Sequence, residues 1–155
     1  SVRLIKDMHK ILLDNVRGKT KSPGEFKSEQ NYIGNSNEIT FTPLPPELTL
    51  DYMANLENYI HYEEVDLLVQ AALLHCQFEM IHPFQDGNGR VGRLIALKEC
   101  LKNNIIPFII EDSKKSFYYR GLSEWRREKG WLVDICLDGQ DTFVKLLDIL
   151  EIPHE

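Results

Sequence analysis

Apolar residues recur every three to four positions along most of this chain, which is the spacing that favours amphipathic helices. The pattern predicts a helix over roughly residues 2–16 that Ser1 caps, a turn over 18–24, a helix that Thr49 caps, and a helix over about 65–80. The other predicted helices are one that follows the glycines near residue 89 and stops at Asn103, and three more over 116–128, 131–137 and 141–150. The chain is therefore expected to be mostly helical.

One section, residues 26–42, does not follow the helical spacing. Its two halves, 26–33 and 38–42, are short and rich in aromatic and β-branched residues, which favours strands. Gly34-Asn35-Ser36-Asn37 lies between them, and a run of prolines begins at Pro43. The sequence thus predicts an all-α domain that carries one β-hairpin with a four-residue loop.

Size and charge narrow the class of protein. The chain has 155 residues, which fits one domain over 1–155 with a real core. Its net charge is −6, from 18 basic and 24 acidic side chains, and this balance does not suit a protein that binds nucleic acid directly. We expect a protein or small-molecule partner instead.

The cysteines and the lack of long apolar segments indicate the cellular compartment in which the protein is expected. Cys76, Cys100 and Cys136 are odd in number and widely spaced, so a disulfide framework or zinc knuckle is not expected, and buried thiols in a reducing cytoplasm fit best. No apolar run approaches the ~18 residues of a membrane span, and no signal peptide is recognisable. The start at Ser1, without Met, predicts a piece excised from a longer chain.

The most informative stretch is H-P-F-Q-D-G-N-G-R-V-G-R, residues 82–93, which contains a formal G-x-G-x-x-G. A dinucleotide-binding turn needs a buried strand directly before its first glycine, but residues 81–86 are largely polar, contain a proline and follow a long predicted helix. A P-loop is excluded because no G-K-[S/T] follows. The stretch is better interpreted as the loop between two helices.

Within that loop, the backbone favours an anion site. Pro83 disfavours helical geometry at His82, so the upstream helix should end there, and Phe84 should anchor the loop in the core. Glycines permit positive φ and close approach at residues 87–89, and a helix follows. Free amides at a helix N-terminus attract phosphate.

The side chains of the loop supply the rest of a phosphate-transfer site. Arg90 and Arg93 are neighbours on one helix face, and guanidinium groups pair well with phosphate oxygens. Asp86 is a candidate Mg²⁺ ligand, and His82 can accept a proton near neutral pH. The combination points to phosphoryl or nucleotidyl transfer.

The loop resembles the signature H-P-F-x-D-G-N-G-R-x-x-R of the Fic (filamentation-induced-by-cAMP) domain. Residues 30–34 and 41–46 are similar to that family's flap hairpin and its proline-rich exit, and residues 118–122 and Trp131 also resemble the family. The resemblance covers nearly the whole chain. It implies a Fic-type helical bundle in which the flap spans about 26–42, and the active-site loop with its following helix spans about 82–103.

The resemblance also implies an activity, namely transfer of AMP from MgATP to a Ser, Thr or Tyr hydroxyl of a target protein. His82 would deprotonate that hydroxyl, and Asp86 would hold Mg²⁺ between the α- and β-phosphates. The implied nucleotide contacts are Gly87, Asn88 and Gly89 as a phosphate cradle, with the Asn88 side chain on the α-phosphate, Arg90 and Arg93 on the β- and γ-phosphates, and Tyr118 and Tyr119 as adenine candidates. The flap residues Tyr32, Ile33 and Gly34 would hold the target as an added strand.

One departure concerns regulation. Many members of the family carry an inhibitory helix with the pattern [S/T]-x-x-x-E-[G/N], and no Ser or Thr of this chain begins such a pattern. Three explanations stay open: the chain is unrestrained, a separate antitoxin-like protein inhibits it, or it has been cut from a longer regulated protein. We expect the fragment to be competent on its own.

Other functions remain open from the residues alone. The same fold would also serve removal of AMP or transfer of another phosphate-containing group. A different class is a nucleotide-sensing interaction module in which ATP only alters a partner surface. A metal centre built from His75, His82 and Asp86 is a remote alternative, since zinc-like clustering is absent.

Overall fold

The computed structural model describes residues 1–14, 22–34, 38–61 and 66–154. Helices dominate these residues, and their bounds are α1 Val2–Asp14, α2 Pro46–Ile60, α3 Leu67–Ile81, α4 Asn88–Lys102, α5 Lys115–Glu124 and α6 Gly130–Ile149. The strands are β1 Ile33–Gly34 and β2 Ile39–Phe41, and a short 3₁₀ turn covers Asp112–Lys114. The expectation of an all-α fold with one hairpin is confirmed. Three sets of predicted positions lie outside the described residues: the end of the first helix and its turn (15–21), most of the hairpin loop (35–37), and residue 65.

The starts of α1 and α3 are capped by polar side chains. The hydroxyl of Ser1 accepts a hydrogen bond from the Leu4 N–H at 3.3 Å, as the sequence predicts. Asp66 Oδ1 accepts from the N–H groups of Leu68 and Val69 at 3.0 and 3.2 Å. These bonds satisfy amides that have no partner inside the helix.

The start predicted for α2 is wrong by four residues, because the cap is Pro45 and not Thr49. The helix begins at Pro46, whose ring fixes φ at a helical value and whose missing N–H costs nothing in the first turn. Thr49 is buried in the first turn, and its hydroxyl donates to the Pro45 carbonyl at 3.3 Å. Thr49 is therefore a core residue of the helix rather than its cap.

The hairpin is shorter than predicted. Its strands pair antiparallel, with Ile33 opposite Phe41, Gly34 opposite Ile39, and an irregularity between the two pairs. The strand expected from residue 26 begins only at Ile33, because Lys27 directs its backbone N–H to the Pro83 carbonyl at 2.8 Å instead of to a neighbouring strand.

The C-terminal helices differ from the prediction in number. The segments 131–137 and 141–150 form one helix, α6, and Gly139 lies in its interior. A Cβ at Gly139 would lie 3.0 Å from the Ile109 carbonyl oxygen, so this glycine allows close packing and does not end a helix.

Two compact units make up the described chain, each with its own apolar core. The first contains the described residues up to His61 together with Leu74–Ile95, and the second contains those from Asp66 to Leu73 together with Ala96–His154. Buried residues at the centre of the first unit include Met53, Leu56, Leu74, Phe78 and Phe84. Those at the centre of the second include Leu68, Ala72, Tyr118, Leu132 and Cys136. The single domain expected over 1–155 stays a prediction.

The cysteines are all free thiols. Cys100 and Cys136 are buried as expected, and Cys76 is half-buried. Burial raises the pKa of the Cys76 thiol to about 11, so it is protonated and unreactive near neutral pH.

Candidate functional site

His82 lies immediately after α3, in a backbone conformation that few residues adopt. Its N–H makes the last helical bond, to the Phe78 carbonyl at 2.9 Å, and its φ is +50°. Pro83 follows and prevents the helix from continuing. Backbone strain of this kind persists only where the surroundings hold it.

The imidazole of His82 is held through one nitrogen. Nδ1 lies 3.3 Å from the Glu79 carbonyl oxygen, which can only accept, so Nδ1 carries the proton. No described residue bonds to Nε2, which therefore presents its lone pair. The His82 side chain is 20% exposed.

The protonation state of His82 agrees with this geometry. Burial lowers the pKa of His82 below its ordinary value, the bond to the Glu79 carbonyl raises it, and the charge of Lys27 lowers it. The net shift is downward, so the imidazole is neutral near pH 7. It is ready to accept a proton.

The loop after His82 is anchored by Phe84, as expected. The Phe84 ring is fully buried and stacks on the imidazole of His9, with ring centroids 3.7 Å apart and planes at 9°. The Asn88 side chain bonds to both polar groups of the Phe84 backbone: Oδ1 accepts from its N–H at 2.8 Å, and Nδ2 donates to its carbonyl at 2.7 Å.

This arrangement changes the role of the Asn88 side chain. Asn88 is 2% exposed as a residue, and its side-chain amide is bonded to Phe84 on both sides, so the amide shapes the loop. What remains available on Asn88 is its backbone N–H, at the start of α4.

The N-terminus of α4 is where the glycines predict an anion site, and two of its backbone amides have no described acceptor. Gly87 adopts φ +80°, and its N–H is taken up by Asp86 Oδ1 at 2.6 Å. In the described part of the chain, nothing accepts a hydrogen bond from the N–H groups of Asn88 and Gly89. These amides and the positive end of the helix dipole attract a phosphate.

Charged side chains surround the same helix end. The carboxylate of Asp86 is 55% exposed, and its Oδ2 lies 4.0 Å from Arg90 Nη2. Arg93 is exposed, and its Nη1 lies 3.6 Å from the position that a Cβ on Gly89 would occupy. One carboxylate and two guanidinium groups thus lie on the residues around these amides.

Gly92, the last glycine of the formal G-x-G-x-x-G, serves packing. A Cβ there would lie 2.5 Å from Glu79 Oε1, 3.1 Å from His75 Cδ2 and 3.2 Å from Phe78 Cδ1, all side chains of α3. Only glycine lets α4 pass α3 this closely. Burial raises the pKa of Glu79, and no described donor bonds to its Oε1.

His9 is a supporting residue that the sequence reasoning missed. It is fully buried, its Nδ1 accepts from the Gly24 N–H at 2.9 Å, and its Nε2 donates to the Asp86 carbonyl at 3.0 Å. Its partners lie 15 and 77 residues away, so no local signal marks it.

Lys27 and Asn31 were also missed. The Lys27 ammonium, in a residue only 5% exposed, donates to Ile81 O at 3.1 Å and to Asn31 Oδ1 at 2.8 Å. Asn31 Nδ2 donates to the carbonyls of His82 and Phe84 at 3.0 and 2.9 Å. The segment before the flap therefore holds the loop that carries His82.

The flap residues lie next to that segment. Tyr32 is 57% exposed, Ile33 is half-buried, and Gly34 is exposed. Among the described residues, the sheet consists of β1 and β2, which pair with each other.

The two adenine candidates differ. Tyr118 is 4% exposed in the core of the second unit, and its hydroxyl donates to the Ala72 carbonyl at 3.1 Å. This burial leaves little of its ring for a nucleotide to contact. Tyr119 is 62% exposed, so we retain Tyr119 alone as a candidate.

The described residues give no support to a metal centre or to a membrane-spanning helix. No group of three or more His, Cys, Asp or Glu side chains among them is arranged to hold a metal ion, which gives no support to a centre made of His75, His82 and Asp86. None of the helices in the described ranges is both long and apolar enough to cross a bilayer.

Comparisons with known proteins show the family and the fold. A model of the Fic/DOC family matches residues 1–100. The protein adenylyltransferase fic-1 of Caenorhabditis briggsae is 30% identical over 125 residues, which are 79% of this chain and 23% of that protein. The chain spans roughly a quarter of the length of the curated relatives it matches.

Solved structures show the same fold. A Fic-domain-containing signaling protein from Bacteroides thetaiotaomicron is 25% identical with a TM-score of 0.68, over 95% of this chain and 57% of that one. A Fic family protein from Desulfovibrio desulfuricans is 22% identical with a TM-score of 0.72, over 100% of this chain and 49% of that one.

Proposed function

Because the chain belongs to the Fic/DOC family, we propose that it is a protein adenylyltransferase, which transfers AMP from ATP to a Ser, Thr or Tyr hydroxyl of a target protein. The observation that carries the proposal is the state of His82. Its Nδ1 is fixed by a carbonyl and its Nε2 is open, one short loop away from a helix N-terminus with free amides. A proton acceptor and a phosphate site thus occur together.

The reaction follows from these groups. His82 Nε2 takes the proton of the target hydroxyl, and the oxygen attacks the α-phosphorus of ATP. The bond from the α-phosphorus to the bridging oxygen breaks, so pyrophosphate leaves and the target carries AMP. The proton stays on the imidazole until solvent or the leaving group removes it.

The phosphates would be held by the first turn of α4. The backbone amides of Asn88 and Gly89 would donate to phosphate oxygens, and Gly87 would permit the close approach. Arg90 and Arg93 would bind the β- and γ-phosphates through their planar guanidinium groups.

The family implies Mg²⁺, and the residues present fit it. Nucleotide-bound Mg²⁺ takes one or two carboxylates besides phosphate oxygens, and Asp86 presents one exposed carboxylate beside the phosphate site. Asp86 would hold the ion, which when bound neutralises charge on the α- and β-phosphates.

The flap would bring the target hydroxyl to His82. An extended target segment would pair with the backbone of Tyr32, Ile33 and Gly34 as an added strand. Strand addition would hold the target mainly through backbone hydrogen bonds.

The proposal is tested by incubating the chain with MgATP and cell-lysate proteins, then following labelled AMP and the masses of modified proteins. His82→Ala should lower incorporation by about 100-fold or more, because a general base contributes that much, while ATP binding measured by calorimetry persists. His61→Ala, at an exposed histidine beyond α2, is the matched control and should keep full activity.

The other functions predict different results. A mass increment other than that of AMP would favour transfer of another group, and loss of AMP from pre-modified proteins would favour the reverse reaction. ATP binding without any turnover would favour a nucleotide-sensing module. Activity of the wild-type chain alone would also answer whether an inhibitory partner or helix is needed to restrain it.

A further inference from the structure

The turn between α3 and the phosphate loop has four consecutive carbonyls, those of residues 81–84, and each of them accepts a hydrogen bond from the short segment 27–31. The Phe84 carbonyl also accepts from Asn88 Nδ2. Lys27 supplies two of the donors, its Nζ to Ile81 O at 3.1 Å and its backbone N–H to Pro83 O at 2.8 Å. Asn31 supplies the other two, from Nδ2 to His82 O at 3.0 Å and to Phe84 O at 2.9 Å. We call Lys27 and Asn31 the carbonyl clamp.

The carbonyl clamp offsets the cost of burying carbonyl groups and of the unusual backbone conformation at His82. Carbonyls just beyond a helix end lack helical partners, and a buried carbonyl without a donor is expensive. His82 also adopts φ +50°, which is uncommon for a residue with a Cβ. Without the clamp, this stretch could relax toward other backbone conformations and carry the imidazole with it.

The orientation of the Asn31 amide is determined by Lys27. Lys27 Nζ can only donate, and it lies 2.8 Å from Asn31 Oδ1, so that oxygen is the acceptor and Nδ2 must face the two carbonyls. Burial lowers the pKa of Lys27 to about 8, which still leaves most of it charged near pH 7. Lys27 and Asn31 therefore act together, because Lys27 fixes the amide that bonds to the two carbonyls.

The position of Asn31 in the chain joins the clamp to the flap. Tyr32, Ile33 and Gly34 follow it directly, and Ile33 is the first residue of β1. The residue that holds the His82 carbonyl is therefore two positions from the strand on which the target would lie, and one extended residue spans only about 3.3 Å.

We propose that Asn31, oriented by Lys27, is a positioning residue that fixes the His82 imidazole relative to the flap strand and so sets where the target hydroxyl meets the base. The inference rests on the proposed function for its consequence in catalysis. The placement of the His82 imidazole itself can be measured without any enzymatic activity.

The first test is Asn31→Asp, which keeps the size and the acceptor for Lys27 but removes both donors to the carbonyls. We expect kcat for AMP transfer to fall by about 10- to 100-fold, since a misplacement near 1 Å costs up to that much, while the ATP Kd changes by less than about 3-fold. Asn58→Asp, at an exposed position of α2, is the control and should leave both values unchanged.

The second test reads His82 directly by ¹⁵N NMR of its ring nitrogens. In the wild type Nδ1 should carry the proton and Nε2 should be bare, and Asn31→Asp should lose this preference. If Asn31→Asp does not fold, Asn31→Ser, which keeps a hydroxyl donor, takes its place and should show the same losses in weaker form.

A variant of Lys27 separates positioning from simple folding. Lys27→Met removes a positive charge that lowers the pKa of His82, so the acid limb of the rate–pH profile should move to higher pH. Lys27→Arg keeps the charge and should leave that limb in place.

The outcomes distinguish the two proposals. A wild-type chain that modifies no protein with AMP overturns the proposed function, yet the NMR comparison still decides whether Asn31 places His82. A folded Asn31→Asp protein with wild-type kcat and an unchanged His82 tautomer overturns the positioning role.

Discussion

Two histidines of the first unit show how single hydrogen bonds assign roles. His9 accepts at Nδ1 from Gly24 and donates at Nε2 to the Asp86 carbonyl, so both nitrogens are occupied and the ring is a brace. His82 donates at Nδ1 to Glu79 and leaves Nε2 open. The two imidazoles are opposite tautomers. His9 is structural because both of its nitrogens are bonded, and His82 is a candidate base because its Nε2 is open.

Asn88 gives a prediction at the same scale. Asn88→Ala would leave the buried N–H of Phe84 without its acceptor, whereas the Phe84 carbonyl would keep its bond from Asn31. We expect the free energy of unfolding to fall by about 1–3 kcal/mol in urea denaturation, the cost of one buried unsatisfied group. Asn58→Ala, exposed on α2, is the comparison. Equal stability of the two variants would contradict this account of Asn88.

The sequence predicts residues whose chemistry is local and misses those whose partners are distant. His82, Asp86 and the arginines occur within twelve positions, so their combination can be recognised without a fold. Lys27 bonds to Ile81 and Pro83, more than 50 positions away, and its one local partner, Asn31, does not reveal this role. The bonds of the Asn88 side chain to Phe84 were not predicted, because the pattern reveals the residue type but not the direction of the amide.

Among the elements, the glycines of α5 and α6 mark close packing. Gly121 lies where α5 meets α6, and a Cβ there would lie 2.8 Å from Leu132 Cα and 2.9 Å from Leu132 N. These are backbone atoms, which cannot move aside as a side chain does. The contact requires glycine whatever its helix propensity.

Gly121→Ala should therefore push α5 and α6 apart. We expect a loss of about 1–3 kcal/mol in the free energy of unfolding, the usual cost of overpacking, as measured by urea denaturation. Gly130→Ala is the matched control, because the neighbour near its Cβ is the exposed Glu128 carboxylate at 3.1 Å, which can move. A Gly121→Ala protein as stable as Gly130→Ala would show that the two helices are not in tight contact.

Element boundaries follow the sequence only where local signals decide them. The Ser1 cap and the end of α3 before Pro83 were predicted because the cap and the proline act within a few residues. The start of β1 and the continuity of α6 were not, since each depends on contacts with distant parts of the chain. In a sequence, a glycine indicates the end of a helix, but Gly139 lies inside α6 and allows close packing.

At the scale of the whole molecule, every group proposed for phosphate transfer and target binding belongs to the first unit, apart from the adenine candidate Tyr119. His82, Asp86, Arg90 and Arg93 lie within Leu74–Ile95, and the flap and the clamp lie before His61. The region matched by the family model, residues 1–100, contains all of these groups. The same unit contains His75, which gives the molecule a pH-dependent stability.

His75 is 16% exposed, and burial together with the charge of Arg93 lowers its pKa to about 4. An unfolded chain holds this proton up to its ordinary pKa of about 6.5, so between about pH 4 and 6.5 the unfolded state binds more protons and stability falls as pH falls. Between pH 7.5 and pH 5, we expect His75 to lower the free energy of unfolding by about 2 kcal/mol. Glu79, 3.7 Å away, acts in the opposite direction, because its raised pKa favours the folded state as pH falls.

A comparison of variants tests the contribution of His75 to this pH dependence. Urea denaturation of the wild type, His75→Gln and the exposed-site control His61→Gln is measured at pH 7.5 and pH 5. The drop in stability should be smaller in His75→Gln than in the wild type by about 2 kcal/mol, because glutamine cannot take up the proton. His61→Gln should show the wild-type drop. Equal drops in all three proteins would mean that His75 is protonated as easily in the folded state as in the unfolded one, and that its packing beside Gly92 and Glu79 is looser than described.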